Sequence, residues 1–508
     1  MKETTKTFVF VTVAILLTGA AFFRIPDRSR QDIAFNDQGQ PFFPDFKDPF
    51  ACTDLQVVDY DESTAKISEF QVKFKDGKWV IPSHYDYPAD AKDRLAKTAS
   101  GVMDLLKDTV RSDNVEDQEK MGVGDPLDTK STGLKGRGKR ITLRDASEKI
   151  LADFIIGKEI RDDKTGQRYV RVPGQKRVYG VNLKVDLSTK FADWIETNLL
   201  KVEAGKIRKV TFDGHKVNPE EGTITPGELL TIERKDSAGP WSMEGLPEDK
   251  ELNTEKLNAL TSALGDLKIA GVRPKPEGLT KELKVLEGGD VKPTTRAALN
   301  SLVSRGFYPT KKGLMSNQGD VLVTTEEGVV YTLRFGEIVV ASGLELSAGE
   351  DPEEAGKKAA DPEKSKKTAA GAPESRYLFV TASFDPSVIP PPKGPESSDP
   401  PKFPSDPFQK APDDPKRIAE EKEIKDKSDK AKAEYDKKIA DGEKRVKDLN
   451  DRFAAWYYVT PGESFKSISL DRKGLVQAKG EKPAGNPGMP AGLPPGFPQS
   501  GLPGFPGQ

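Results

Sequence analysis

The sequence predicts an α+β fold: two tandem duplicated units of antiparallel sheet plus amphipathic helix, with an N-terminal transmembrane helix and disordered linkers and tail. Three observations predict it. Two stretches, "ITLRDASEKILADFIIGK" (141–158) and "VLVTTEEGVVYTLRFGE" (321–337), share one hairpin rhythm of apolar alternation around a charged turn. Trp79 and Trp241, Leu95 and Leu257, Ser100 and Ser262, Asp104 and Asp266, Leu105 and Leu267, and Val110 and Val272 are each 162 positions apart. Strands come in consecutive runs with tight turns, which favours antiparallel pairing with the helix on one face.

At the N-terminus, Lys2 and Lys6 precede "TFVFVTVAILLTGAAFF", and Arg24 follows. This uncharged run of about 17 residues sits at the short end of a membrane span. A cleaved signal peptide is the competing reading, but "LTGA" makes a poor cleavage site, so residues 1–24 are read as an uncleaved anchor. The two lysines place the start in the cytoplasm and the bulk of the chain on the periplasmic side of the inner membrane, against the opposing pull of Arg24, Arg28 and Arg30. Residues 25–55 read as a linker.

The first α+β unit spans 56–205. It holds a strand ending at Trp79, a Pro-containing turn and a helix whose Leu95, Ala99, Val102 and Leu106 fall on one face. The hairpin and the "RYVRV" strand (168–172) follow. The second unit spans 206–390. Gly336 lies 179 positions after Gly157, which sets Val330 opposite Leu151 and Leu322 opposite Leu143. "RYLFV" (376–380) lies 208 after "RYVRV". The difference marks an insertion, 343–375, whose charged, Ala/Lys/Pro-rich composition is that of a disordered loop. A period this long is a domain duplication and not a solenoid.

Beyond it the composition shifts. Residues 391–415 read as a Pro-rich linker. Residues 416–452 read as a charged helix, with Tyr435, Ile439, Val446, Leu449, Phe453 and Trp456 marking a narrow seam and Gly442 a candidate break. The seam suits a coiled coil or a helix laid on a domain, and a solvated single helix is the alternative. Residues 453–476 read as closing strands that dock on one of the units. Residues 477–508 form a Pro/Gly tail without a strict G-X-Y period, which excludes collagen and leaves a disordered segment.

Composition and motifs exclude several chemistries. The net charge of -2 gives no global field for nucleic acid. The lone Cys52 rules out an intramolecular disulfide framework and reads as an incidental thiol. "GLKGRGKR" (133–140) fits G-x-x-x-x-G-K, but Arg140 stands where a magnesium-binding Ser or Thr belongs and a strand follows, so no nucleotide is expected. The two histidines, His84 and His215, fall outside any metal-ligand spacing, and no metal or cofactor is expected. Both Trp79 and Trp241 read as core. Asp104 and Asp266 read as a solvated helix face. Arg161, Arg168, Arg171 and Arg177 read as a basic, solvent-facing strand side, able to attract an anionic surface. No catalytic residue is named.

The Trp79 strand, "ADAKDRLAKTASGVMDLL", "ITLRDASEKILADFIIGK", "RYVRVPGQKRVYGV" and above all "FADWIETNLLKVEAGKIRKVTF" (191–212) resemble the bacterial family catalogued as domain of unknown function 4340. The resemblance covers most of 56–275 and, more weakly, the stretch to 390. "GFYPTKKG", "YTLRFGE" and "FAAWYYV" are similar to its long, planctomycete-type version. The resemblance implies an N-terminal membrane segment, no established activity, and company with envelope ABC-transporter or gliding-type components. The expected function is therefore that of a membrane-anchored envelope protein, a non-catalytic scaffold or accessory of a membrane complex with envelope protein partners. The alternative is an accessory subunit holding a small solute or glycan between the two units.

Overall fold

The computed structural model describes residues 37–63, 65–128, 135–161, 166–183, 185, 187–218, 223–276, 279, 283, 295–310, 313–339, 341, 343–348, 374–392 and 415–480. The expected anchor lies outside these residues, as do 393–414 of the Pro-rich linker, 349–373 of the insertion and 481–508 of the tail; the insertion's first residues, Gly343–Ser347, are a helix and not disordered loop. Among the described residues no helix is long and apolar enough to cross a membrane.

The architecture is mixed α+β with antiparallel sheets. The first half contains β1 (Asp54–Asp61), β2 (Lys66–Lys75), β3 (Lys78–Ile81), β4 (Tyr87–Pro88), α1 (Lys92–Met103), β5 (Thr109–Ser112), α2 (Asp117–Met121), β6 (Lys139–Arg144), β7 (Ile150–Glu159), β8 (Arg168–Arg171) and β9 (Val178–Val181). Its nine strands form one sheet in the order β4-β3-β2-β1-β6-β7-β8-β9-β5.

The second half begins with β10 (Ile207–Asp213), β11 (Lys216–Asn218), β12 (Thr223–Thr225), β13 (Leu229–Glu233), β14 (Ser242–Met243), β15 (Lys250–Leu252), α3 (Thr254–Gly265) and β16 (Gly271–Pro274). It continues with α4 (Arg296–Val303), β17 (Phe307–Thr310), β18 (Gly313–Ser316), β19 (Asp320–Thr325), β20 (Val329–Val339), α5 (Gly343–Ser347) and β21 (Ser375–Phe384). The long α6 (Pro415–Phe453), β22 (Trp456–Pro461), α7 (Gly462–Ile468), α8 (Arg472–Leu475) and β23 (Val476–Ala478) close the chain. The second large sheet runs β14-β13-β10-β19-β20-β21-β22-β16.

Apart from the edge strand β4, which has no counterpart, the two orders are the same once β10, β13, β14, β16 and β19 to β22 are put in place of β1, β2, β3, β5 and β6 to β9. Registers agree residue by residue. Trp79 pairs with Phe74 on β2, and its counterpart Trp241 stands next to Ser242, which pairs with Glu233 on β13. Tyr179 faces Val170 and Val110; Tyr458 faces Leu378 and Val272. Both long hairpins bulge at the same place, between Ile156 and Glu159 and between Phe335 and Ile338. Across the preceding strand the offset is 180, because β7 carries an extra residue, Leu151, where Leu143 pairs with Ala152 and Arg144 with Ile150, so Leu143 corresponds to Val323 and not to Leu322.

Glycine is required at both hairpin bulges. A Cβ on Gly157 would lie 2.4 Å from the Met121 carbonyl oxygen, and one on Gly336 would lie 2.2 Å from that of Arg305. A covering segment thus crosses each sheet at backbone contact distance. The freed glycine carbonyls accept from matching arginines: Arg168 Nη2 to Gly157 O at 2.6 Å, and Arg376 Nη1 to Gly336 O at 2.8 Å.

Helices α1 and α3 cover the inner faces. Leu95, Thr98, Ala99 and Val102 are buried on α1, and Leu257, Leu260 and Leu264 on α3. Each fully buried leucine contributes roughly 1.5–3 kcal/mol of transfer free energy. Leu106, read as part of the α1 face, is exposed, and Leu105 is buried instead. The helix stops at Met103, with Asp104 as its C-cap, so the 3.6-residue period no longer applies. Asp266 caps α3 in the same way.

Other expectations are corrected by packing. Residues 37–53, read as linker, belong to the fold: Phe42, Phe46 and Cys52 are core residues. The Phe42 amide donates to Leu105 O, as the Leu199 amide does to Leu267 O at the matching place in the second half. Trp456–Pro461, read as a docking terminal strand, is an interior strand of the second sheet, and two helices rather than a second strand follow it. Its four central residues are buried, so it lacks the polar alternation of an edge strand. Gln477 and Ala478, read as tail, pair with β15. Helix α6 runs unbroken through Gly442, where a Cβ would meet the Phe384 ring at 2.3 Å and Glu327 O at 2.9 Å. That glycine permits close crossing and does not end the helix.

Gly157→Ala and Gly336→Ala should each lower unfolding free energy by about 1–3 kcal/mol through overpacking. Gly205→Ala, whose Cβ would touch only Ser237 at 4.0 Å, should change it by less than about 0.5 kcal/mol. Urea denaturation measures all three; equal effects would refute the crossing-segment account.

Candidate functional site

The residues singled out in the sequence are mostly absorbed into packing. Trp79 and Trp241 are partly buried against the core, as expected. Trp79 meets Phe74 edge-on at 5.2 Å, while Arg234 lies over Trp241 at 4.7 Å. Cys52 is buried, and burial pushes its thiol up to about 12, which removes the thiolate needed for reactivity. The Gly-rich 133–140 stretch enters strand β6, and Gly136 lets it cross within contact distance of Glu119.

The arginine cluster faces solvent only in part. Arg168 is tied to the Gly157 carbonyl, and Arg171 is buried and donates to Val123 O and Gln175 O at 2.9 and 3.0 Å. Arg177 holds Asp113 at 2.7 Å. Arg161 and Arg168 are exposed, Arg177 is half-buried and Arg171 is buried. The sequence cannot show this, because the acceptors are carbonyls brought up by distant segments.

The halves meet around His84. Its ring stacks on Phe191 with a centroid separation of 4.3 Å. Nδ1 lies 3.0 Å from the Ser83 hydroxyl, and Nε2 lies 2.9 Å from the hydroxyl of Ser347 at the end of α5. Arg273, buried on β16, donates to the Glu345 and Leu346 carbonyls and so fixes α5 against the junction. Tyr87 completes the contact, edge-on to both Phe191 and Trp456. Burial, reinforced by the positive charge of Arg273, lowers the His84 pKa to about 4.

His215 lies elsewhere, in the layer covering the outer face of the second sheet. Its Nε2 faces Ser316 O at 3.1 Å, and its Nδ1 lies 3.2 Å from Asp213. Beside it Asp320 pairs with Arg334 at 3.2 Å, and burial raises the carboxyl pKa. The first sheet has an ion pair on the corresponding strands with the polarity reversed, Arg140 to Asp153 at 2.7 Å. No group of three or more His, Cys, Asp or Glu suited to a metal occurs among the described residues.

A groove of about 1300 Å³ lies under helix α6. Its floor includes Thr324 and Tyr331, whose hydroxyl donates to Leu200 O at 3.0 Å. Its walls are charged but largely self-neutralised: Lys206 bonds Glu327 at 2.7 Å, and Arg208 bonds Glu326. From the helix side Arg445 reaches Lys201 O at 3.1 Å. Such a groove can hold a polar partner, and its residues form no nucleophile–base arrangement. No sequence motif marks it, since its walls come from β10, β13, β19 and a helix more than 100 residues later.

These features define an α+β protein with two sheets of one topology, a polar groove and a long attached helix. The family model described as "Domain of unknown function (DUF4340)" matches residues 79–282, so this stretch of the chain is similar to that family. The match runs from β3 to just beyond β16 and so includes the helix-bearing parts of both halves. No curated protein and no solved structure matches the chain.

The His84 environment carries a pH signature. Between the ordinary histidine value and about 4 the unfolded chain binds a proton that the folded chain does not, so stability is complete above that window and falls as pH drops through it. The loss amounts to about 3 kcal/mol. His84→Gln should flatten the stability curve between pH 6.5 and 4, measured by urea unfolding across that range. An unchanged slope would show that the imidazole is not the titrating group.

Proposed function

We propose that this protein is a membrane-anchored envelope component, non-catalytic, that serves as a scaffold or accessory of a membrane complex. The body is held by residues 1–24 on the periplasmic face of the inner membrane and engages protein partners there. The observation that carries this reading is the way α6 is mounted. The helix is inserted between two neighbouring strands of a sheet, β21 and β22, and its last turns are locked to the body. Asn450 exchanges two hydrogen bonds with the Ala382 backbone at 2.9 and 2.8 Å. Arg452 donates to the carbonyls of Leu199, Asn198 and Glu196.

The rest of the helix reaches outward. Thirty-nine residues make a rod of about 58 Å. Most side chains from Lys422 to Lys438 are exposed. An acid-to-base pair four residues apart, Glu423 to Lys427 at 2.7 Å, supports it and is worth about 0.3–0.5 kcal/mol. A helix stabilised along its own surface needs no covering layer, so it can present a fixed ladder of charge to a partner.

Crosslinking in intact membranes followed by affinity capture of the full chain tests the proposal. The wild type should bring down a membrane protein. A variant with Lys425→Glu, Lys430→Glu and Lys432→Glu should lose it by roughly tenfold while unfolding at the same urea concentration. Recovery of the chain alone, or equal capture by both forms, would overturn the reading.

A further inference from the structure

Next to Trp241 lies a second groove, of about 680 Å³. Trp241, Pro240, Leu246 and Pro247 give it an apolar wall, and Asn258 and Lys479 line it from other elements. Two observations mark it as a docking surface. The first is the state of the indole. Trp194, fully buried, donates its N–H to Ser188 O at 2.9 Å, as buried indoles ordinarily do. Trp241 lines the groove, and among the described residues its N–H has no hydrogen-bond acceptor. Arg234 lies over its ring at 4.7 Å. An aromatic face beside prolines, with an available indole donor, is the chemistry that reads polyproline II helices, whose carbonyls point outward unpaired.

The second observation is where the described chain stops. Strand β23 pairs with β15 on the rim of this groove, and the Lys479 amide donates to Asp249 O at 3.1 Å. Lys479 itself lines the groove, and the described residues end at Gly480. A few residues later the sequence runs "GNPGMPAGLPPGFPQSGLPGFPGQ" to its end. This tail contains P-x-x-P three times, opening at Pro487, Pro495 and Pro503, at intervals of eight. Ligand chemistry and receptor chemistry therefore lie next to each other in one chain.

We propose that the groove at Trp241 is a polyproline II receptor and that its occupant is the chain's own tail, residues 481–508, seated through a P-x-x-P turn. The proposal is independent of the membrane reading. A tether of a few residues gives the tail an effective concentration in the millimolar range, so a weak site is filled intramolecularly.

The test uses a fluorescent peptide of residues 489–500 and two proteins: the full chain, and a chain ending at Gly480 that keeps every described residue. The peptide should bind the shortened chain about tenfold more tightly than the full chain, because the tail competes. Trp241→Ala in the shortened chain should abolish binding, and Trp79→Ala, at the matching place in the first sheet, should not. A peptide with Pro495→Ala and Pro498→Ala should fail on either protein, which keeps the test valid if a protein variant does not fold. Equal peptide affinity for the full and shortened chains would overturn the proposal, as would binding insensitive to the two prolines. Sedimentation of the full chain as a tail-dependent dimer would assign the groove to a second copy and overturn the intramolecular seat.

Discussion

Burial of the segment from Phe191 to Val202 between the two sheets is the interaction on which the rest of the molecule depends. Phe191, Trp194, Ile195, Leu199, Leu200 and Val202 are all buried, and they belong to one continuous core that includes residues of both sheets. Trp194 closes the first half, packing on Phe70 at 5.9 Å with Arg94 over its ring. Five residues later the Leu199 amide opens the second half by bonding the end of α3. The connection is thus itself core, and an extended tether between independent domains is ruled out by its contacts. The same segment supplies the carbonyls that Arg452 holds, so the position of the long helix is set by the element that joins the sheets.

The two halves differ in how much freedom each face had to change. Inner faces correspond in chemistry: Leu95 with Leu257, Leu105 with Leu267, Tyr179 with Tyr458. Close packing against a helix allows little alteration of volume there. Outer faces have diverged. Arg171 corresponds to Phe379, and the Arg140–Asp153 pair is replaced by Asp320–Arg334. The reason is the covering layer. In the first half it is a short helix and loops that offer carbonyls, so arginine is satisfied. In the second it is α4 with the β17–β18 hairpin, which offers Phe307 and Leu314 and calls for an apolar partner. The bulge glycines are common to both halves because each cover, whatever its chemistry, crosses at backbone distance.

The insertions follow one logic. Helices α5 and α6 follow β20 and β21 of the second sheet, where the first sheet has shorter connections. Helix α6 is exposed over most of Lys422 to Lys438, while Leu449 and Phe453 in its last turns join the core. Helix α5 is clamped at the junction by Arg273 and His84. Helix α6 is fixed over a charged groove. The surfaces by which the second half differs from the first are accordingly those available for recognition.

The amino-acid sequence by itself determined the α+β class, the 162-residue correspondence of Trp79 with Trp241 and of α1 with α3, the hairpin rhythm, the charged helix and the family likeness over 79–282. All of these are local patterns or repeats, which periodicity and offset report directly. Only the tertiary structure decided that residues 37–53 belong to the fold, that β22 is interior, that α6 passes through Gly442, that Arg168 and Arg171 bond backbone carbonyls, and where the two grooves lie. Each of these depends on a contact between segments far apart in sequence, often to a backbone atom. Backbone acceptors are the same at every position, so no residue type in the string marks which of them a side chain will meet.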